Sequence, residues 1–199
     1  STCSLKVRIC LAEKDLEWVD HSFKPHENKH LTSDYLAMNP NGVVPTLVHN
    51  GTPIIDSSTI LEYLDEAFPD PPFSPDNPVD RARMRAWLRY IEEKPTPAVR
   101  YPTFNRILIR NYQGLSDDDF DTEAEIRPLK TDFYKQMGRD GFDDDAIERA
   151  VGDIRSTVER MEKALAEEGP WLLGELYSLV DMCVAPLIDR MEDLGYESL

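Results

Sequence analysis

The sequence predicts an α/β unit followed by an all-helical unit, and three observations carry that division. Short apolar runs broken by turn residues fill the first third, with a hairpin signal at His49-Asn50-Gly51. Five prolines then fall within residues 69–78, the composition of an extended linker. Beyond Asp80 the apolar residues recur at intervals of three and four, as on one face of a helix. The expected units are therefore residues 1–69, a linker over 70–79 and a helical unit over 80–199.

Residues 4–14 read as a helix with Ser4 as its cap and Leu5, Ile9 and Ala12 on one face, widened by Val7 and Leu11. Ser1-Thr2-Cys3-Ser4 then lies at the positive end of that helix, where backbone N–H groups stabilise a thiolate or another anion. Trp18 to Phe23 alternates as a strand does. Pro25 to Thr32 is a polar loop, and Ser33 to Met38 fits a short helical turn. Two strands, Thr46–His49 and Pro53–Ile55, make the hairpin. Asp56-Ser57 open a helix marked by Ile60, Leu61, Leu64 and Phe68, which Pro69 ends.

The helical unit begins with Met84, Trp87, Leu88 and Ile91, and Pro95 and Pro97 should stop or kink that helix. Asp117-Asp118-Asp119 places acid charge at a favourable helix start. The longest periodic run follows Asp143 through Ile147, Val151, Ile154, Val158, Met161 and Leu165, and Gly169-Pro170 ends it. Ser178 caps a last apolar helix, with Asp181 positioned to accept from the Ser178 N–H.

Composition narrows the function. A formal charge of −16 argues against a nucleic-acid backbone as partner, because such surfaces need clustered cations. No apolar run approaches the roughly 20 residues of a membrane span. Cys3, Cys10 and Cys183 are too few and too dispersed for a disulfide framework, which points to a reducing, cytoplasmic setting. No metal is called for.

Asn39-Pro40-Asn41-Gly42-Val43-Val44-Pro45-Thr46-Leu47-Val48 is the stretch around which these elements gather. A proline at the mouth of a strand adopts the cis form at modest cost, and its missing N–H matters least there. Such a turn leaves the Val44 amide and carbonyl free for an extended peptide.

Taken with Ser1-Thr2-Cys3-Ser4-Leu5-Lys6-Val7-Arg8, Asp56-Ser57 and Ser178-Leu179-Val180-Asp181, this turn resembles the cytosolic glutathione transferases over essentially the whole chain. The resemblance implies a thioredoxin-like N-terminal domain, its first strand absent, and an all-helical C-terminal domain lacking its last helices. It implies glutathione as co-substrate, a homodimer, and a small-molecule electrophile as second substrate. It also implies that Val44, before Pro45, pairs with the cysteinyl part of glutathione. Asp56 and Ser57 receive the γ-glutamyl end, and His30, with Lys29 beside it, reaches the glycyl carboxylate. The position of Val43 usually carries glutamine in the related zeta and etherase patterns.

The start of the opening helix separates the classes. Ser1 matches the activating serine of the zeta, or maleylacetoacetate isomerase, pattern; Cys3 matches the cysteine of bacterial beta-class enzymes; Ser4 matches the serine of the bacterial β-etherase group. Likeness to the last group extends through Arg83-Met84-Arg85-Ala86-Trp87, Gly141-Phe142 and Val158-Glu159-Arg160-Met161-Glu162, which favours a β-etherase-related or fungal-like class. The expected chemistry is activation of the glutathione thiol by Ser1 or Ser4 with the helix N-terminus, for attack on an aromatic electrophile and, within that class, on a β-aryl ether. Tyr101, Phe104 and Tyr112 are candidates for lining the electrophile cleft, with core packing as their plainer role. Three other readings stand beside it: a Cys3-dependent glutathione disulfide oxidoreductase, a zeta-like isomerase, and a noncatalytic binding domain.

Overall fold

Residues 1–196 are described by a computed structural model. Helix α1 spans Thr2–Glu13, and Ser1 rather than Ser4 is its cap, with Ser1 Oγ accepting from the Ser4 N–H at 3.4 Å. The buried face also differs from the expected one. Lys6, Val7, Cys10 and Leu11 face inward, while Leu5 and Ala12 are exposed. Apolar residues stand on almost every side of this helix, so their spacing alone selects no face. What selects it is the pairing of two lysines. Lys6 Nζ reaches Glu92 Oε1 at 2.6 Å, and Lys14 Nζ reaches Asp65 Oδ1 at 2.8 Å.

Trp18 to Phe23 is irregular and forms no strand. A strand needs a neighbour for its N–H and C=O groups, and no described strand lies beside this segment. Arg8 holds it instead, through Asp20 at 2.6 Å and Ser22 at 2.8 Å. Two short 3₁₀ turns follow, Pro25–Glu27 and Lys29–Leu31, and then α2 over Ser33–Met38.

Strands β1 (Thr46–His49) and β2 (Thr52–Ile55) pair antiparallel, with Thr46 opposite Ile55 and His49 opposite Thr52. Asn50 and Gly51 both take positive φ, 51° and 77°, as a two-residue hairpin turn requires. Helix α3 covers Ser57–Ala67. The proline-rich segment is pinned along its length. Lys14 Nζ donates to the carbonyls of Phe68 and Pro71, and Asp65 accepts from the Phe73 N–H.

Helix α4 runs over Pro78–Glu93 behind an Asn77 cap. The prolines at 95 and 97 break the path into α5 (Pro95–Ala98) and α6 (Arg100–Thr103), and a π-helical turn continues over Phe104–Leu108. Asp117–Glu125 forms α7, and Thr131–Met137 forms α8. The long α9, Asp144–Glu168, follows an Asp143 cap. Ser178 and Asp181 close a reciprocal capping box at the start of α10, Leu179–Asp193.

The principal core lies where α1 meets α3 and α10, with α4 against α10. Ile60, Leu61, Leu64, Met84, Ile91, Leu179 and Met182 fill it. Cutting such a leucine to alanine costs about 2–5 kcal/mol. A second, aromatic core joins Phe104, Phe120, Tyr134, Met137 and Phe142. Among the described residues no helix is long and apolar enough to cross a membrane.

Candidate functional site

The turn before β1 is braced from within. Asn39, wholly buried, donates from Nδ2 to the Val43 carbonyl at 2.9 Å and to Thr46 Oγ1 at 3.1 Å. The Tyr35 hydroxyl also donates to the Val43 carbonyl, at 2.8 Å, and accepts from Thr46 Oγ1. The Val44–Pro45 peptide is cis. With Val43 O and Thr46 Oγ1 both engaged, Val44 is left out: among the described residues neither its N–H nor its C=O has a hydrogen-bond partner. Half-buried and unsatisfied, this pair of groups has the form that an added extended peptide takes up.

Asp56 is the N-cap of α3, at φ 72°. Its Oδ1 accepts from the Thr59 N–H at 3.0 Å and from Ser58 Oγ at 2.8 Å. Burial works against its charge, but the Thr59 amide and Ser58 hydroxyl, with Lys6 further off, outweigh it and hold the carboxyl below the usual range. Ser57 is buried at the first position of α3, and Asp56 supplies the cap. A cleft of about 440 Å³ opens here between α3 and α4, lined by Asp56, Ser58, Thr59, Glu62, Arg85 and Glu92 among others.

At the other end of the site, His30 is half-buried and stacks on Phe23 with ring centroids 5.9 Å apart. Burial, and then Arg127 and Lys130, pull its pKa down to about 4, so the ring is neutral near pH 7. Lys29 turns outward to Glu27, at 3.1 Å.

Ser1, Cys3 and Ser4 all lie at the amide-rich start of α1; Cys3 and Ser4 are half-buried and Ser1 is exposed. Cys3 is a free thiol within electrostatic reach of Lys6 and Lys130. Lys6 is fully buried. Burial opposes its charge, yet Cys183, Glu92 and Cys3 together raise its pKa above the ordinary lysine value. Asp56 feels Lys6, Lys6 and Lys130 feel Cys3, and His30 feels Lys130.

Three groups of participants escape a reading of the sequence. Tyr35 and Asn39 brace the turn, and only their separation of four residues hints at a shared face. Arg127 clasps the 3₁₀ loop to the helical part: its Nη2 donates to Asn28 Oδ1 at 3.2 Å and pairs with Glu123 Oε2 at 3.1 Å. Pro128 then packs over the turn, where a Cβ on Gly42 would sit 3.0 Å from Pro128 Cδ. Lys130 completes this corner. Of the aromatic candidates, Phe104 is buried in the second core, while Tyr101 and Tyr112 are half-buried against it. Trp87 packs with Tyr90 and lies under Arg160, 4.3 Å from its guanidinium carbon.

Comparison with known proteins accounts for this arrangement. The N-terminal domain of glutathione S-transferase matches residues 1–72, and its C-terminal domain matches residues 144–198. The protein LigF of Sphingobium sp. (strain SYK-6) is 29% identical over 196 residues, covering 96% of this chain and 76% of LigF. A stringent starvation protein A homolog of Haemophilus influenzae is 32% identical over 192 residues, covering 96% of this chain and 71% of that protein. The crystal structure of the β-etherase LigF superposes with a TM-score of 0.85 at 26% identity, over 96% of this chain and 79% of LigF. The chain belongs to the glutathione S-transferase superfamily. Within it, the chain is similar to the bacterial β-etherase LigF, and it has a thioredoxin-like N-terminal part and an all-helical C-terminal part.

Proposed function

We propose that the protein is a glutathione transferase that activates the glutathione thiol for attack on a hydrophobic, aromatic electrophile, β-aryl ethers among them. The observation that carries this reading is the N–H and C=O of Val44, without a hydrogen-bond partner among the described residues, in a turn held through the Val43 carbonyl. In this reading residues 1–69 bind glutathione and residues 80–199 bind the electrophile. The cysteinyl backbone lies along Val44 beside Pro45. The γ-glutamyl ammonium meets Asp56, and its carboxylate meets Ser57 and the α3 N-terminus. The glycyl end runs toward His30. That direction carries the sulfur to the start of α1.

A hydroxyl of Ser1 or Ser4 donates to the sulfur there, and each unit by which the thiol pKa falls corresponds to about 1.4 kcal/mol of thiolate stabilisation. The thiol gives its proton to solvent. The thiolate then forms a carbon–sulfur bond as the leaving aryloxide or halide departs with the bonding electrons. LigF is a β-etherase, and the likeness to it supports this chemistry without fixing the substrate. The assembly is a homodimer in this reading.

A second reading is favoured by the two lysines near Cys3. A Cys3 thiolate attacks a glutathione mixed disulfide, releases the other thiolate, and is regenerated by a second glutathione as oxidised glutathione leaves. Cys3→Ser separates the two. Conjugation of chlorodinitrobenzene that survives in Cys3→Ser and falls at least tenfold in the Ser1→Ala/Ser4→Ala double variant, with glutathione still bound, supports the transferase. Conjugation lost in Cys3→Ser contradicts the serine route. Absence of any turnover in the wild type, over a broad electrophile panel, favours a noncatalytic binding domain.

A further inference from the structure

The segment that carries His30 is tied to the rest of the fold at few points. Residues 23–32 make two 3₁₀ turns, and their backbone hydrogen bonds close within the segment or onto Leu36. Among the described residues, two hydrogen bonds join residues 23–32 to the chain beyond Leu36, and both belong to Asn28. Its Oδ1 accepts from Arg127 Nη2 at 3.2 Å, and its Nδ2 donates to Glu123 Oε2 at 3.3 Å. Arg127 and Glu123 are themselves paired at 3.1 Å. The guanidinium carbon of Arg127 lies 4.4 Å from the ring centroid of Tyr134, a member of the aromatic core. Only 4% exposed, Arg127 has almost no surface to offer a ligand. It is a fixed post to which the loop is tied.

The next residue reaches the other peptide-binding segment. A Cβ on Gly42, two residues before Val44 and at φ 58°, would sit 3.0 Å from Pro128 Cδ. Arg127 thus holds the turn that opens two residues before His30, while Pro128 packs on the turn that leads into Val44–Pro45. One short piece of the helical part spans both. Within the N-terminal part the link between them is aromatic: His30 stacks on Phe23 at 5.9 Å, and Phe23 meets Tyr35 edge-on at 6.2 Å. Ring contacts tolerate a range of offsets, whereas a charge-assisted hydrogen bond adds geometric specificity. We infer that Arg127 is a positioning residue for the glycyl end of glutathione: by holding Asn28 it sets His30 at a tripeptide's reach from Val44, and so selects glutathione over γ-glutamylcysteine. The inference rests on the transferase reading and deepens it to the choice of thiol.

Conjugation of chlorodinitrobenzene with glutathione and with γ-glutamylcysteine, which lacks the glycyl residue, tests it. The kcat/KM ratio of the tripeptide over the dipeptide should fall about fivefold in Arg127→Gln, roughly 1 kcal/mol, with the loss carried by the KM for glutathione. Asn28→Gly removes the tie from its other side, accepts the φ of 48°, and should give the same fall. It carries the comparison if Arg127→Gln does not fold. Arg127→Lys, which keeps a charged donor, should recover part of the ratio. On a His30→Ala background, Arg127→Gln should leave the ratio where it is, because the route through His30 is already gone. An Arg127 that only stabilises the fold would lower the urea midpoint and the rates with both thiols alike, and that result overturns the inference. So does a ratio that neither Arg127→Gln nor Asn28→Gly changes, although intact conjugation then leaves the transferase reading standing. A wild type that conjugates neither thiol removes both.

Discussion

Lys6 and Lys14 are buried and Lys130 is half-buried, and the three divide into two kinds. Lys6 on α1 and Lys14 at its C-cap are buried, and each has its acid: Glu92 at 2.6 Å and Asp65 at 2.8 Å. Lys14 adds two backbone carbonyls and the ring of Phe73, 4.8 Å from its ammonium. Lys130, between α7 and α8, has no ion pair or side-chain hydrogen bond with a described residue. The contrast separates charge that holds the fold from charge that does not. A satisfied buried ion is structural, and an unsatisfied one bears a stability cost.

That comparison is broken most directly at Lys14. Its side chain and that of Asp65 are almost wholly buried, so Lys14→Met strands a carboxylate and should destabilise the protein by about 3–5 kcal/mol, read as a lowered urea midpoint. The double variant Lys14→Met/Asp65→Leu should recover most of that loss, since no lone charge remains. A loss under 1 kcal/mol in the single variant would show that the pair contributes no structural role.

Asp56 extends the comparison to the proposed binding side: it caps α3 through Thr59 and Ser58 and, in the transferase reading, also meets the γ-glutamyl ammonium. Asp56→Asn should weaken glutathione binding about tenfold at pH 7, the loss of one charged hydrogen bond. Burial opposes the Asp56 carboxylate, yet the Thr59 and Ser58 bonds prevail and its folded-state pKa lies below the ordinary 3.8. The stability it contributes is therefore complete above pH 3.8 and lost as pH falls through the lower folded value. Titration calorimetry between pH 4 and 7 should accordingly show no loss of affinity attributable to this residue.

The smallest effect has the opposite sign. Lys130→Met should raise stability, by on the order of 1 kcal/mol at pH 7. The folded-state pKa of about 8 lies below the ordinary 10.5, so folding penalises the charged form. The penalty is complete below pH 8 and fades as pH rises from there through 10.5; burial is its main cause, with Arg100 and Arg127 adding to it and Cys3 opposing it. Thermal unfolding at pH 7 and pH 10 should show the gain at the first and little at the second. Destabilisation at pH 7 would put Lys130 with Lys14 among the structural cations.

What the chain discloses before folding is what a few neighbouring residues decide. The His49-Asn50-Gly51 hairpin, the Asp143 cap of α9 and the Ser178–Asp181 capping box are all local, and all stand where their residues place them. The Val44–Pro45 turn is of this kind, with Asn39 and Tyr35 as its near braces. Residues whose roles depend on distant partners are not legible in this way. The inward face of α1 follows from Glu92 and Asp65, both more than fifty positions away along the chain from the lysines they meet. The alternation at Trp18–Phe23 yields no strand because alternation supplies a face and not a neighbour.

All of this turns on whether an extended thiol peptide lies along the turn before β1. Amide resonances of Val44, Asp56 and Ser57, followed as glutathione is added to saturation, test it most directly. The account predicts that all three shift together at one dissociation constant, and that the thiol-lacking analogue ophthalmic acid shifts them too. Resonances that stay in place at saturating glutathione would contradict it.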